Sequence, residues 1–474
     1  MKLLRSMGLV SLLALAACAG GVGPDYKRPE TPSSAARPFI GSASPAVSTA
    51  ETDNQWWRLY RDPVLDGLIA DAFAANRDLA VATANLTRAR ALLREAGAGR
   101  LPQTQIDASG TYGRRSAIQR QPGIEREDWL YDAGLSISYE VDLFGRVSRS
   151  IEAARGDVAA EEAARDVARV AVAAETARAY ADAGAAAERL AVAERTVALV
   201  EQTLDLTNRQ FEAGRGTRLE VSRVVALRDQ QRATLPPLRA ERDAALFRLA
   251  TLTGRTPADL PAEAGARRAT LRLDQPIPVG DGRALLARRP DVRAAERRLA
   301  AETARIGVAT ADLYPRISFG GSIGSTGTSL SDMFGAGPLR WLLGPLLSWN
   351  FPNQETARAR VAASEASTAA ALARFDGTVL RALEETETAL SRYSHELQRR
   401  TELASARNAA ETAARISRVQ LREGKVDSLT VLDAERTLAA AEADLAASDA
   451  RIATAQIDLF RALGGGWQEA ARAG

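Results

Sequence analysis

The spacing of apolar and polar positions along this chain changes period four times, and the changes come in two matching sets. Residues 76–103 carry apolar side chains at helical spacing as far as Pro102, a residue that disfavours helix in its predecessor. Alternation with a period of two follows. TQIDASGTY sets Ile106, Ala108, Gly110 and Tyr112 on one face, and LSISYEV does the same for Leu135, Ile137, Tyr139 and Val141. In the second half, RISFGGSIG puts Ile317, Phe319 and Ile323 in phase, and LLSWNF aligns Leu347, Trp349 and Phe351. The pattern predicts strands at 104–115, 129–142, 316–326 and 341–351, with exposed loops at 114–128 and 325–340.

Helical spacing then returns over unusual lengths. Between Arg146 and Phe211 there is no proline, and the glycines are Gly156 and Gly184. As a single helix that stretch would reach roughly 100 Å. Leu190, Val197, Leu204 and Phe211 recur every seven residues, with Ala193, Val200 and Thr207 three after each of the first three. A second ladder runs Val431, Leu438, Leu445, Ile452 and Leu459, with Ala434, Ala441, Ser448 and Ala455 between. Sustained heptads predict coiled-coil packing, and small residues at one seam let the helices approach closely. Pro236 and Pro237 are expected to bend or break the first returning helix. Each hairpin reverses at a glycine-bearing tip, AGRGT at 213–217 and EGKVD at 423–427.

The two halves are copies of one plan. Residues 76–103 and 289–316 align without gaps at an offset of 213, matching Asp78 with Asp291, Leu86 with Leu299 and Pro102 with Pro315. Gly214 and Gly424 correspond at 210. The period is too long for a solenoid and implies a duplicated half-molecule. Four strands cannot close a barrel, and lipid tolerates no open strand edge. Either the strands form a small soluble hairpin in each half, or several chains pool them in a membrane; three chains would give twelve.

The N-terminus adds a compartment. Lys2 and Arg5 precede a short apolar core, Leu9 to Ala17, in the arrangement of an export signal. Cys18, the single cysteine, follows at the cleavage position and has no partner for an intramolecular disulfide. No later apolar run is long enough to span a bilayer as a helix. Net charge is +3 over an interspersed surface with no basic stripe, which argues against nucleic acid.

Catalytic chemistry finds no foothold. With one histidine (His395, in a polar helical stretch) and one cysteine, the chain offers no Cys/His metal cluster and no supported nucleophile. GGSIGSTG lacks the lysine ending of a phosphate loop. EETE at 384–387 reads as a solvated helix face, and the NLT sequon at 85–87 as chance. No enzyme activity, cofactor or metal is expected.

LAAC at residues 15–18, VGPDYKRP at 22–29, WWRLYRDPVLDGLIADAFAANRDL at 56–79, YEVDLFGR at 139–146 and VLDAERTLAAAEADL at 431–445 together resemble the TolC-like outer-membrane efflux proteins. The match is to the lipoprotein (OprM/NodT) branch serving RND-type pumps, and it covers nearly the whole mature chain. The resemblance implies a mainly α fold with a small membrane β part. Three chains would pool four strands each into a twelve-stranded outer-membrane barrel, continued by a coiled-coil helical tunnel through the periplasm. It implies a lipid on Cys18, outer-membrane localisation signalled by Ala19, and docking on a periplasmic adaptor and an inner-membrane pump. The function implied is a passive exit duct for small toxic compounds. Alternatives are a duct for protein secretion, a lipid-anchored coiled-coil scaffold without a channel, or a scaffold for polysaccharide export.

Carried over by position, Leu429, Asp433 and Arg436 occupy a periplasmic gate, and their spacing lets all three share one helix face. From the residues alone, Asp433 is a solvated charge early in a helix. Thr430 stands where some family members have a second aspartate, and the first-half counterparts are Glu220 and Arg223. The expected adaptor contacts are Gly214, Arg215, Gly216, Thr217, Gly424, Lys425, Val426 and Asp427. The expected organisation is a signal at 1–17, an extended lipid-anchored segment at 18–60, repeats at 61–255 and 284–466, a linker at 256–283 and a tail at 467–474.

Overall fold

The computed structural model describes residues 21–50, 54–114, 116, 118, 125–334 and 339–466; the expected signal, Cys18 and the tail lie outside them. The described helices are α1 (Pro63–Ala75), α2 (Arg77–Ala98), α3 (Arg146–Glu212), α4 (Arg218–Arg232), α5 (Leu235–Leu252), α6 (Gly282–Arg288), α7 (Pro290–Ala311), α8 (Glu355–Arg422) and α9 (Ser428–Ala462). The strands are β1 (Val47–Ser48), β2 (Gln103–Arg114), β3 (Glu127–Val141), β4 (Ile277–Pro278), β5 (Arg316–Gly327) and β6 (Leu339–Ser348). The chain divides into two compact units, one of residues 1–29, 85–162 and 294–376, the other of 30–84, 163–293 and 377–474.

The first unit holds one antiparallel sheet in the order β2-β3-β5-β6, so the two sequence hairpins lie side by side and β2 and β6 are its edges. The last strand stops at Ser348, short of the expected 351. Trp349 and Phe351 leave the alternation and stack on each other at 4.7 Å, and the Trp349 indole donates to the Leu313 carbonyl at 3.1 Å. An N-terminal strap lies in the same unit. The Val22 amide donates to the Phe144 carbonyl at 3.1 Å, and the buried Arg149 donates to the Val22 carbonyl at 3.3 Å and to Asp25 at 2.7 Å. Glycine is required where the backbones touch. A Cβ on Gly145 would lie 2.5 Å from Gly21 Cα, and one on Gly23 2.5 Å from Gly307 Cα. Downstream, the Tyr26 hydroxyl donates to Glu296 at 3.0 Å, and burial beside that carboxylate raises its pKa to about 12.

The second unit contains the main core: Trp56, Leu65, Ile69, Leu249, Ile277, Leu285, Ile452 and Phe460 are almost wholly buried, and Trp56 stacks on Phe460 at 4.8 Å. Asp62 starts α1 by accepting from the Val64 and Leu65 amides, with Pro63 in the first turn. Asn76 ends α1 and starts α2, accepting from the Asp78 and Leu79 amides while its side-chain amide donates to the Leu252 carbonyl at 3.1 Å. The duplicated position is Arg289, which instead donates to Asp291, Glu385 and the Ala462 carbonyl. The same joint is built with different chemistry in each half.

Three expectations need correction. Residues 18–60 are not simply extended: described parts form 3-10 turns at Ser33–Ala36, Ile40–Ala43 and Trp56–Tyr60, because Phe39, Trp56 and Trp57 are drawn into the core. The 256–283 linker is structured too, since β4 pairs in parallel with β1 and Ile277 is fully buried. EETE is not a purely solvated face. Thr386 is buried, Glu385 pairs with Arg289, and Glu387 accepts the Ile40 and Gly41 amides at 2.7 and 3.1 Å.

The long helices explain their own exceptions. A Cβ on Gly156 would meet Ala301 Cβ at 2.9 Å, and one on Gly184 would meet the Ala269 carbonyl at 2.8 Å, so each glycine marks a close backbone approach. Leu190, Val197, Leu204, Val431, Leu438, Ile452 and Leu459 are buried, whereas Phe211, at the end of α3, is exposed. Pro236 sits in the first turn of α5, where its missing N–H costs no helical bond, and the helix breaks just before it.

Candidate functional site

The sheet has two chemically distinct faces. Uninterrupted register puts Ile106, Ala108 and Tyr112 of β2 on the same side as Trp129, Tyr131, Leu135, Ile137 and Tyr139 of β3. Phe319 and Ile323 of β5 and Trp341, Leu343 and Leu347 of β6 continue that side. Ile106, Trp341 and Leu343 are 79%, 75% and 74% exposed, so no described residue covers this part of the face. The opposite side carries Gln103, Gln105, Asp107 and Ser109 on β2, then Asp132, Ser136 and Ser138 on β3, and Ser318, Ser322 and Thr326 on β5. Leu130, Leu342 and Leu346 are exceptions on the polar side, and Leu346 leans over Gly320.

Aromatic residues mark both ends of the apolar face. Tyr112, Trp129 and Tyr131 form one cluster, with centroids 5.6 Å apart from ring to ring. Tyr139 opposite Phe319 marks the other end. The eight steps of β3 from Tyr131 to Tyr139 cover about 27 Å at ~3.4 Å per residue. Membrane barrels show an apolar band of about 25 Å between aromatic girdles. Among the described residues no helix is long and apolar enough to cross a membrane.

In the second unit the two hairpin tips are built alike. Gly214 and Gly424 have φ of +70° and +72°, which only glycine adopts freely. The following amides, Arg215 and Lys425, donate back to the Gln210 and Gln420 carbonyls at 2.8 and 2.9 Å, satisfying groups the helix end would leave orphaned. After Gly216 the first tip starts α4 with a capping box in which Thr217 and Glu220 serve each other's backbone amides. After Val426 the second starts α9 with Asp427, which accepts from the Thr430 amide at 2.9 Å and its hydroxyl at 2.6 Å. The Thr430 bonds hold the Asp427 carboxyl below its usual pKa. Glu220 and Thr430 are therefore both committed to caps. Lys425 pairs with Glu423 at 2.6 Å, and Arg215, Thr217, Gly424, Lys425 and Asp427 are exposed.

The first turns of α9 separate two faces. Leu429, Asp433 and Arg436 share an exposed side, and no ion pair joins Asp433 to Arg436 within the chain. Arg436 instead lines a groove with Leu227, Gln230 and Ala440. The other side is buried. Leu432, on the flank of the exposed trio, packs with Val200, Leu204, Val224 and Leu227 and ties the two hairpins together. Glu435, 4% exposed, lies 2.6 Å from Arg418, and burial raises its pKa against the opposing pull of that arginine. The spacing of acidic residues in α9 could have disclosed this partner: Glu435, Glu442 and Asp449 recur every seven residues and face Arg418, Arg407 and Arg400 of α8.

Known proteins share this architecture. The sequence profile described as "Outer membrane efflux protein" matches residues 68–255 and 282–465, the two repeats. The outer membrane protein OprJ of Pseudomonas aeruginosa is 32% identical over 97% of this chain and 95% of its own length. Nodulation protein T of Rhizobium leguminosarum bv. viciae is 30% identical over 98% and 94%. The solved outer-membrane channel OprN superposes with a TM-score of 0.87 at 36% identity, covering 94% of this chain and all of its own. The open state of the Neisseria gonorrhoeae MtrE outer membrane channel gives 0.81 at 27% identity, covering 95% and 99%. Matching both repeats across nearly its whole length, the chain belongs to the outer membrane efflux protein family, in the branch of OprM/NodT type.

Proposed function

We propose that the protein is the outer-membrane exit duct of a tripartite efflux system, formed by three copies of the chain. The observation that carries this reading is the sheet, which among the described residues has an uncovered apolar face, a polar face and two unpaired edges. Lipid admits no such edges. With all neighbours antiparallel, β2 and β6 run in opposite directions, so the β6 edge of one copy can pair antiparallel with the β2 edge of the next. Three copies then close a ring of twelve strands with the apolar face toward lipid and the polar face toward the lumen. Relatives named as antibiotic, toluene and solvent efflux components of Pseudomonas putida support small toxic compounds as the cargo.

The strap supports lipidation of Cys18, because Gly21 is fixed at the β3–α3 junction. The exposed Leu429, Asp433 and Arg436 form the periplasmic constriction, and the tips at 213–217 and 423–427 receive a periplasmic adaptor serving an RND-type inner-membrane pump. Three Asp433 carboxylates around one axis favour cations. Single-channel recording in planar bilayers tests both parts. Wild type should show small cation-selective openings, and Asp433→Ala larger or less selective ones. Folded trimers that never conduct in either form would contradict the duct, and identical openings would remove Asp433 from the constriction.

A further inference from the structure

One arginine is laid across the polar face of the sheet. Arg340 of β6 stands in a row with Gly324 of β5, Gly134 of β3 and Asp107 of β2. A Cβ on Gly324 would sit 3.3 Å from the Arg340 Cζ, and one on Gly134 3.4 Å from its Nη2. The guanidinium therefore lies flat over two residues without side chains. It crosses β5 and reaches β3, where Nη2 donates to both carboxylate oxygens of Asp132 at 2.6 and 2.8 Å. Its Nε donates to Thr326 Oγ1 at 3.1 Å, and that hydroxyl donates to Asp132 at 2.6 Å. The two charged groups stay 47% and 32% exposed, so both still face whatever passes over the polar side.

We propose that Arg340 and Asp132 are a mutually compensating pair that sets charge selectivity at the loop-proximal end of the pore. The proposal rests on the reading of the sheet as a pore wall. In a threefold assembly the pair appears three times around the lumen. Removing Asp132 leaves three uncompensated guanidinium groups, which favour anions; removing Arg340 leaves three carboxylates, which favour cations. At Gly324 an added Cβ would first meet the Ala133 carbonyl at 2.6 Å, so glycine there serves the close approach of the strands, and the guanidinium takes the space left above it.

Reversal potentials across a salt gradient test this in wild type, Asp132→Asn, Arg340→Gln and the double variant. The expected result is a shift toward anions for Asp132→Asn, a shift toward cations for Arg340→Gln, and a return to wild-type selectivity in the double variant. Heat-modifiable mobility on a gel confirms folding of each. Should a single variant fail to fold, the charge exchange Asp132→Arg with Arg340→Asp takes its place, with near wild-type selectivity expected. Folded, conducting single variants with unchanged selectivity, or both shifting the same way, would overturn the proposal and leave the pair as a strand brace. A wild-type protein that does not conduct fails the pore reading itself, a separate result.

Discussion

Leu432→Ala isolates what holds the start of α9 in place. The Leu432 side chain is 3% exposed and fills a small cluster with Val200, Leu204, Val224 and Leu227, next to the exposed Asp433. Leucine-to-alanine changes in cores cost about 2–5 kcal/mol, depending on how far the site collapses. This cluster has only five buried members and lies near the hairpin tips, where neighbours can close in. The lower end, about 2–3 kcal/mol, follows. At about 1.4 kcal/mol per tenfold, local opening should become about 25- to 150-fold more frequent. Native-state hydrogen exchange of the α9 amides between residues 429 and 440 reads this directly. Leu429→Ala, one helical turn away and 48% exposed, is the control and should stay within about 0.5 kcal/mol of wild type. Equal protection in the two variants, or a loss spread equally over the β2–β6 sheet, would refute the argument.

Four further outcomes follow from named residues. Gly156→Ala places a methyl 2.9 Å from Ala301 Cβ and should destabilise by about 1–3 kcal/mol. Gly97→Ala meets nothing within 4 Å and should stabilise α2 by up to about 1 kcal/mol; thermal unfolding of the two variants should show opposite signs. Thr217→Ala removes half of a capping box and should cost about 1 kcal/mol, read as faster exchange in the first turn of α4. The pKa of Glu435 is raised in the fold, so its contribution is fully present below the ordinary glutamate pKa and declines as pH rises through the folded one. Unfolding midpoints of wild type should therefore fall relative to Glu435→Gln between acid and neutral pH; a rise would contradict the assigned burial.

The sequence disclosed what period and punctuation control. Heptads announced the long helices, alternation located the four-stranded sheet, and Gly214 and Gly424 marked the reversals. What it hid depends on partners distant in the chain. EETE looked solvated because nothing local shows that Glu387 receives two amides of residues more than 340 positions earlier. The β1–β4 pair is two residues long, too short for any periodic signal. Asp433 and Arg436 stood out by spacing, whereas the buried Glu435 between them is signalled only by its seven-residue spacing to Glu442 and Asp449, which face arginines across the hairpin. The chemistry of Asn76 and Arg289 diverges at one duplicated position, so aligning the halves could not have predicted either joint.

The central claim is that three chains close one ring through the β2 and β6 edges, and disulfide trapping tests it most directly. Cys18 is the only cysteine, and with its sulfur taken up by the proposed lipid it leaves a background free of competing thiols. Single cysteines scanned along Gln105, Asp107 and Ser109 of β2 would be combined with others along Leu342, Gly344 and Leu346 of β6. Oxidation in membranes should give covalent dimers and trimers at matching positions, and nothing larger. Ladders extending beyond three chains, or no cross-link at any pairing, would contradict the closed trimeric ring.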